Sequence, residues 1–592
     1  NNYISPLTGI TACTKIFTIN FLFQVSQGEA QSEAALFAAK SAGGIGVSKP
    51  SSQNDYFPTT LRFLNQADLA DGSFGSAGTL AGQQSVTSYF FVDDTKINNT
   101  TTGYAVAGGT NRPYGLNSDP GQIVANLTSI FQQILSVSTT FVSASVPVNV
   151  FNRASLVDNV YIALFQADPD AKPYWNGNIK KLKIRQNRRT DGSVDTFFAD
   201  ALGNPAVASD GRINFDALTF WTNGTVLTTA DASKNITAGR DGREVPRGGA
   251  GQRIPGFISG SPGSLNSDTG ARKLFFDSSS TTLQALNADT TTALALQLPL
   301  GALTALEATA LISYARGLDI DDSNGNGNRT EARPWIFGDP LHSRPLPINY
   351  GAANGFTTSN PGIYIAVASN DGYLRMLRNT NTDGTESGAE VWGFMPKSVR
   401  AIQKTLRSNT PVSPVKHPYA FDGAPTIYLK DANNDGSIKS ADGDKAYLYA
   451  SLRRGGSAYY ALDVTNPESP SLLWTIDSST SGFSELGQSF STPKVGTVNV
   501  GGTITPAIFF AAGYDTNKDA HALGSNDTKG RAIYIVNATT GALIWKAAYG
   551  TVTGFVSPNT YNHALLQDSI PSDLALADTD GGGVLDGQEV RV

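Results

Sequence analysis

From Trp335 onward the chain repeats itself, and a repeat of this kind admits few folds. Three segments align: Leu374-Arg-Met-Leu-Arg378, Tyr459-Tyr-Ala-Leu-Asp463 and Ile533-Tyr-Ile-Val-Asn537. Each follows an apolar strand (Tyr364 to Ala368, Ala446 to Leu452, Ala507 to Ala511). Each precedes a Thr/Asn/Gly turn and a strand carrying a tryptophan: Trp392, Trp474 or Trp545. That is the content of a β-propeller blade, with the Trp filling the gap between neighbouring blades where a smaller side chain would leave a cavity. The alternative, unrelated hairpins in a sandwich, is the weaker choice beside three aligned units. The tryptophans lie about 80 and about 70 residues apart, longer than an ordinary blade of roughly 40–45 residues. Three full units and the start of another fit before Val592, whereas propellers close with roughly four to eight blades. The expectation is a propeller over 334–592 whose ring these residues leave incomplete.

Upstream the texture differs twice. Residues 1–140 read as alternating strand and helix, with apolar runs Lys15 to Gln24 and Val86 to Val92 suited to buried strands. Gly121 to Ser136 places Ile123, Val124, Leu127, Ile130, Phe131 and Ile134 at helical spacing, started by Asp119 and Pro120. Such a mixture predicts an α/β layer with a parallel sheet. Residues 141–333 read as a β-rich middle region. In it, Asn159 to Ile184 forms two strands around a Pro/Asp/Gly turn, and Leu303 to Arg316 forms a helix. The fold class is thus multidomain: part of an α/β domain, a β-rich middle and a propeller.

Composition narrows the function. Lys+Arg 44 against Asp+Glu 50 leaves a net charge of −6, with no basic excess for nucleic acid. The lone Cys13 excludes an internal disulfide framework and Cys-rich metal sites, and the four histidines have no close pair. No run of 18 or more apolar residues is present to span a bilayer as a helix. With charged residues at only 16%, the chain has the texture of a secreted bacterial surface protein. No G-x-S-x-G, H-E-x-x-H, P-loop or dinucleotide motif appears, so no catalytic residue or organic cofactor is expected.

The strongest local signal is Asp431-Ala-Asn433-Asn-Asp435-Gly436-Ser437-Ile438-Lys439-Ser-Ala-Asp442. Oxygen side chains fall at positions 1, 3, 5 and 12, with Gly at 6 and an apolar residue at 8. That spacing wraps a short loop around a hard cation, since calcium takes six to eight oxygens. The Ser437 carbonyl would serve at position 7 and a water at position 9. Asp442 is shorter than the usual Glu and predicts weaker binding. Flanking strands make this an EF-like loop, not an EF-hand. Two weaker acidic loops carry Asp322, Asn324, Asn326 and Asn328, and Asp578, Asp580 and Asp586. In the first, position 12 counted from Asp322 is Arg333; in the second, the central oxygen is missing. Asp277-Ser-Ser279-Ser-Thr281 fits an integrin-type metal pattern but follows the α/β segment and reads as a decoy. His342 is expected in a polar structural cluster with Glu331, Arg333 and Asp339.

These residues carry a resemblance. Ala315-Arg-Gly-Leu-Asp-Ile-Asp-Asp322 leading to Arg333-Pro-Trp-Ile-Phe-Gly-Asp-Pro-Leu-His-Ser-Arg-Pro345 resembles the opening of the C-terminal propeller of PilC/PilY-type type IV pilus tip proteins. Asn370-Asp-Gly-Tyr-Leu374 with Val391-Trp-Gly-Phe-Met-Pro396 is similar to that family's first blade. The Asp431 loop falls where the family places its calcium. Tyr3 through Phe23 and the Gly121–Ser136 segment resemble the later part of a von Willebrand A-like domain, and Trp175-Asn-Gly-Asn178 resembles the start of the middle β region. The half of the A domain that would hold an adhesion-site metal is expected to precede residue 1. Where the family often has Thr-Asp-Gly-Glu, this chain reads Ser26-Gln27-Gly28-Glu29.

The resemblance implies a non-enzymatic component of the type IV pilus tip. It would be extracellular, outer-membrane associated during assembly, and bound to minor pilins and to a host or abiotic surface. It would promote assembly, oppose retraction and use Ca2+ as a switch. Two other classes remain open. One is a propeller quinoprotein dehydrogenase, against which stands the absence of a vicinal cysteine pair; the other is a periplasmic propeller scaffold.

Overall fold

The computed structural model describes residues 158–577, apart from 169, 189–193, 209–210, 228, 231–235, 255–256, 259–260, 263–271, 288–302, 412–416 and 521–525. It also describes Val584, Leu585, the strand Val590–Arg591 and four strands upstream of residue 158. The chain forms two units, one of Asn1–Thr139 with Val207–Ile213 and one of Thr140–Ala206 with Asn214–Val592.

In the first unit, β1 (Ile16–Leu22), β2 (Val86–Asp93) and β3 (Tyr114–Leu116) pair in parallel in that order. Both apolar runs read from the sequence are strands. The segment Gly121–Ser136 lies outside the described residues.

The second unit opens with an antiparallel sheet of β4 (Ser143–Ser145), β5 (Asn159–Gln166), β6 (Asn176–Arg188) and β7 (Val194–Ala199). The predicted strand pair around Asp168–Asp170 is β5–β6, in register from Asn159↔Lys183 to Gln166↔Asn176. Two short pieces, β8 (Phe257–Ile258) and β9 (Ser261–Pro262), lead to the hairpin β10 (Leu274–Ser279) and β11 (Thr282–Ala285). The helix α1 (Ala305–Arg316) starts at a capping box in which Thr304 and Glu307 exchange hydrogen bonds, and stops at left-handed Gly317.

Three blades follow. The first is β12 (Leu346–Asn349), β13 (Ile363–Ala368), β14 (Leu374–Arg378) and β15 (Glu390–Phe394), after which comes the short helix α2 (Ile402–Ser408). The second is β16 (Thr426–Lys430), β17 (Lys445–Ser451), β18 (Ala458–Asp463) and β19 (Ser471–Asp477). The third is β20 (Lys494–Val500), β21 (Thr503–Ala511), β22 (Ala532–Asn537) and β23 (Leu543–Tyr549). All pairs within a blade are antiparallel. The hairpin β10–β11 extends the first blade in parallel on β15, and β24 (Gly554–Ser557) with β25 (Thr560–His563) extends the third in parallel on β23. A final pair, β26 (Ala575–Leu576) and β27 (Val590–Arg591), leads on from there, and Leu585 bridges in parallel to Val498 of β20.

The three predicted tryptophans share one register. Trp392 faces Met376, Trp474 faces Ala461 and Trp545 faces Ile535, and the ladder slips by a residue just beyond that pair in all three blades. A bulge there turns the strand and re-aims its side chains. The aim is toward the next blade: Trp392 Nε1 donates to the Pro467 carbonyl at 2.8 Å and Trp474 Nε1 to the Ala538 carbonyl at 3.0 Å. Each acceptor lies in the turn joining the last two strands of the following blade. Trp221 makes the corresponding bond from the middle region to the Asn379 carbonyl of the first blade, at 3.0 Å. The turn must let the indole approach. Gly388 and Gly541 have φ of +73° and +69°, and a Cβ at either would meet the ring of Trp221 or Trp474 at 2.7–2.8 Å.

The cores run across these seams. Tyr161, Ala163 and Ile179 of the β5–β6 pair pack with Ile363, Ile365 and Val367 of β13. Leu374 and Trp392 share a cluster with Leu448 and Leu462, and Trp474 shares another with Phe510 and Tyr534. The middle-region sheet therefore stacks on the first blade much as the blades stack on each other.

Candidate cation-binding loop

The sheet register brings Lys430 opposite Lys445, so residues 431–444 form the connection between β16 and β17, as the spacing predicted. Alternate oxygens in this loop cap its own backbone. Asp431 Oδ2 accepts from the Gly436 amide at 2.8 Å, Asn433 Oδ1 from the Asp435 amide at 3.1 Å, and Asp435 Oδ1 from the Ser437 amide at 2.7 Å. Gly436 takes φ +77°, which is why position 6 needs glycine. Ile438, 2% exposed, is the anchor: its side chain enters the core shared by the first two blades, and its amide donates to the Tyr350 carbonyl at 3.0 Å. Ser437 Oγ accepts from the Ala352 amide. The loop is thus pinned to the first blade while belonging to the second.

Two residues outside the predicted ligand set shape the site. Asp444, fully buried, accepts from the amides of Ala432 (2.8 Å) and Lys439 (2.8 Å), and so closes the two ends of the loop on each other. Lys439 Nζ lies 2.9 Å from Asp435 Oδ2 and 3.6 Å from Asp442 Oδ2. The hydrogen bond from Lys439 holds the Asp435 carboxyl below its usual range. Spacing alone gave no signal for either role, because Asp444 lies past position 12 and lysine is not a cation ligand.

The donor set suits a hard cation. It is all oxygen, and Asp431, 8% exposed, keeps one buried carboxylate oxygen, Oδ1, that accepts no hydrogen bond. A buried carboxylate oxygen without a donor is costly unless a cation completes it. Among the described residues, no three His, Cys, Asp or Glu side chains are gathered around one metal-sized point. Here the carboxylates face backbone amides and Lys439.

The other candidates are placed differently. Asn324, Asn326 and Asn328 all direct side-chain amides to Glu331, and Asp322 accepts from the Gly327 amide. Glu331 is the organising acid of that loop. Asp578, Asp580 and Asp586 lie outside the described residues. Asp277 sits in the β10–β11 hairpin, buried, and accepts from the Lys397 amide; burial raises its carboxyl pKa. His342 is in a polar cluster, but its partner is the buried Asp422, whose oxygens lie 2.8 Å from Nδ1. Of its expected partners, Asp339 lies by His417 and Asn370, Glu331 serves the asparagines, and Arg333 packs over Tyr314. His342, Arg344, Arg453, Phe490 and Lys494 line a cleft of about 420 Å³ where the first strands of the blades begin.

Known proteins are similar to part of this chain. Residues 345–585 match the model of the PilY1 beta-propeller domain. The type IV pilus biogenesis factor PilY1 of Pseudomonas aeruginosa strain UCBPP-PA14 is 31% identical over 235 residues, 36% of this chain and 18% of that protein. The PilY1 homolog of Xylella fastidiosa strain Temecula1 is 28% identical over 272 residues, 41% of this chain and 20% of that protein. The matched stretch therefore spans about a fifth of these relatives' length. The crystal structure of the P. aeruginosa PilY1 C-terminal domain aligns at 25% identity over 38% of this chain and 35% of that one, with a TM-score of 0.23. Over residues 345–585 this chain is thus similar to the propeller domain of PilY1-type type IV pilus biogenesis factors.

Proposed function

We propose that this chain is a non-enzymatic type IV pilus biogenesis factor that works at the pilus tip. There its propeller contacts minor pilins, it attaches the cell to host or abiotic surfaces and it opposes retraction. A calcium-binding loop at Asp431, Asn433, Asp435, Ser437 and Asp442 would tune it. The observation that carries this reading is the PilY1 propeller over residues 345–585, together with relatives that are pilus biogenesis factors. The N-terminal unit is read as von Willebrand A-like, on the parallel pairing of its strands β1–β3 and the family resemblance. The calcium reading is supported by the all-oxygen loop and the unpaired buried oxygen of Asp431.

Two experiments test it. Pili sheared from the bacterium that makes this protein should carry the chain with the filaments, and deletion of its gene should remove surface pili. A chain confined to the periplasm, with normal piliation in the deletion strain, would instead identify a scaffold. Asp435→Ala should weaken calcium binding at least tenfold by calorimetry; unchanged binding removes calcium from the reading.

A further inference from the structure

Position 9 of a twelve-residue calcium loop ordinarily presents a water or an oxygen ligand. Counted from Asp431, position 9 here is Lys439, and its ammonium reaches the carboxylates at positions 5 and 12, Asp435 and Asp442. We propose that Lys439 is the loop's resident counter-cation: it neutralises Asp435 and Asp442 when calcium is absent and must swing out before calcium enters. This rests on the calcium reading of the loop and adds to it a competitor built into the chain.

The backbone shows why only the side chain has to move. The Lys439 amide is held by Asp444 at 2.8 Å, its carbonyl accepts from the Asp442 amide at 3.1 Å, and its neighbour Ile438 is buried and bonded to Tyr350. The side chain itself is about a third exposed, so the ammonium can leave for solvent along a four-carbon stem. At the other end of the loop, Asp431 Oδ1 has no donor in its buried position, so the lysine satisfies only part of the site. A loop with an acid at position 9 would be pushed apart by its carboxylates when empty. This one stays closed by exchanging one cation for another. The cost falls on affinity: drawing the ammonium away from the Asp435 carboxylate, 2.9 Å from it, weakens calcium binding by on the order of tenfold, even in a water-like dielectric.

The test uses the full 592-residue chain freed of metal and titrated with calcium chloride in a calorimeter, for wild type, Lys439→Gln, Lys439→Arg and Asp435→Ala. Lys439→Gln should bind at least tenfold more tightly than wild type, and Lys439→Arg should match wild type. In chelator, Lys439→Gln should be cleaved faster than wild type within residues 431–444 by limited proteolysis. Binding by Lys439→Gln but not by wild type supports the proposal in its strongest form. Equal affinity in wild type and Lys439→Gln, with Asp435→Ala weakened, overturns the lysine competitor and leaves the calcium reading standing. No binding by any of the four overturns the calcium reading and the competitor with it.

Discussion

The first and third blades have the same strand order and the same tryptophan register, yet they are built into the molecule differently. In the first, every residue of β13 and β15 is buried, and Trp392 is fully covered. In the third, β23 is almost wholly half-buried, Trp545 included, and the added hairpin exposes Phe555 (68%) and Val556 (59%). The difference lies in neighbours. The first blade has the β5–β6 sheet on one face and the second blade on the other. A blade's sequence provides the apolar faces, but what covers them decides how much each is worth.

The largest expected effect is at the first-to-second seam. Trp392→Ala removes a fully buried indole and leaves the Pro467 carbonyl without its donor. The loss should be about 3–5 kcal/mol, the range for buried Trp to Ala. It would appear in chemical denaturation as a lower midpoint, or as a separate early transition if the seam opens first. A midpoint within experimental error of wild type would mean that the seam carries little of the stability.

The next effect concerns charge within the first blade. Glu390 sits between Arg272 (2.7 Å) and Arg375 (2.9 Å), all three buried, and Arg375 also grips Asp371. Burial alone would raise both carboxyls, but the charges and hydrogen bonds of these arginines override it and hold Asp371 and Glu390 below their usual range. Groups with depressed folded pKa values stabilise above their unfolded pKa, near 4, and that stabilisation is lost as pH falls through the folded values. Glu390→Gln leaves two guanidinium groups short of charge and should cost about 3 kcal/mol at pH 7. Its stability should also fall less steeply than that of wild type below about pH 5. Parallel acid limbs for the two proteins would show that the network does not set acid stability.

What the sequence reveals of this comparison is uneven. The three blades are legible because their signals are local: apolar strands, Gly turns and one Trp per repeat. The helix over Leu303 to Arg316 and the loop flanks at Asp431 are legible for the same reason. Trp221 is not, because it sits outside any strand yet seals the middle-region sheet to the first blade. Arg375 and Glu390 are equally hidden, since charges in a strand read as a solvated face until Arg272, over a hundred residues away, closes the network. The sequence around His342 points to a polar cluster with local partners, whereas Asp422, 80 residues on, holds it. In the loop, ligand spacing picks out oxygens and passes over Lys439 and Asp444, whose roles come from three-dimensional closeness.

The seam between the second and third blades permits an intermediate test. Gly541 lies at φ +69° against the Trp474 ring, so Gly541→Ala imposes both left-handed strain and a contact at 2.8 Å. A cost of about 1–3 kcal/mol follows. It should shrink in the double variant with Trp474→Ala if contact with the ring is the larger part, which a double-mutant cycle measures.

The smallest effect should come from Trp545→Ala. Its strand, bulge and register match those of Trp392, so an argument from the repeat alone assigns it an equal role. The structure assigns it less. Its ring is only half-buried, and among the described residues no turn carbonyl accepts from its indole nitrogen as Pro467 and Ala538 do from Trp392 and Trp474. With only part of its surface removed from water, truncation should cost about 1 kcal/mol or less. That is a shift in denaturation midpoint several times smaller than for Trp392→Ala in the same chain. Equal shifts for the two variants would mean that Trp545 is covered as fully as Trp392 in solution, and the contrast between the first and third blades would then disappear.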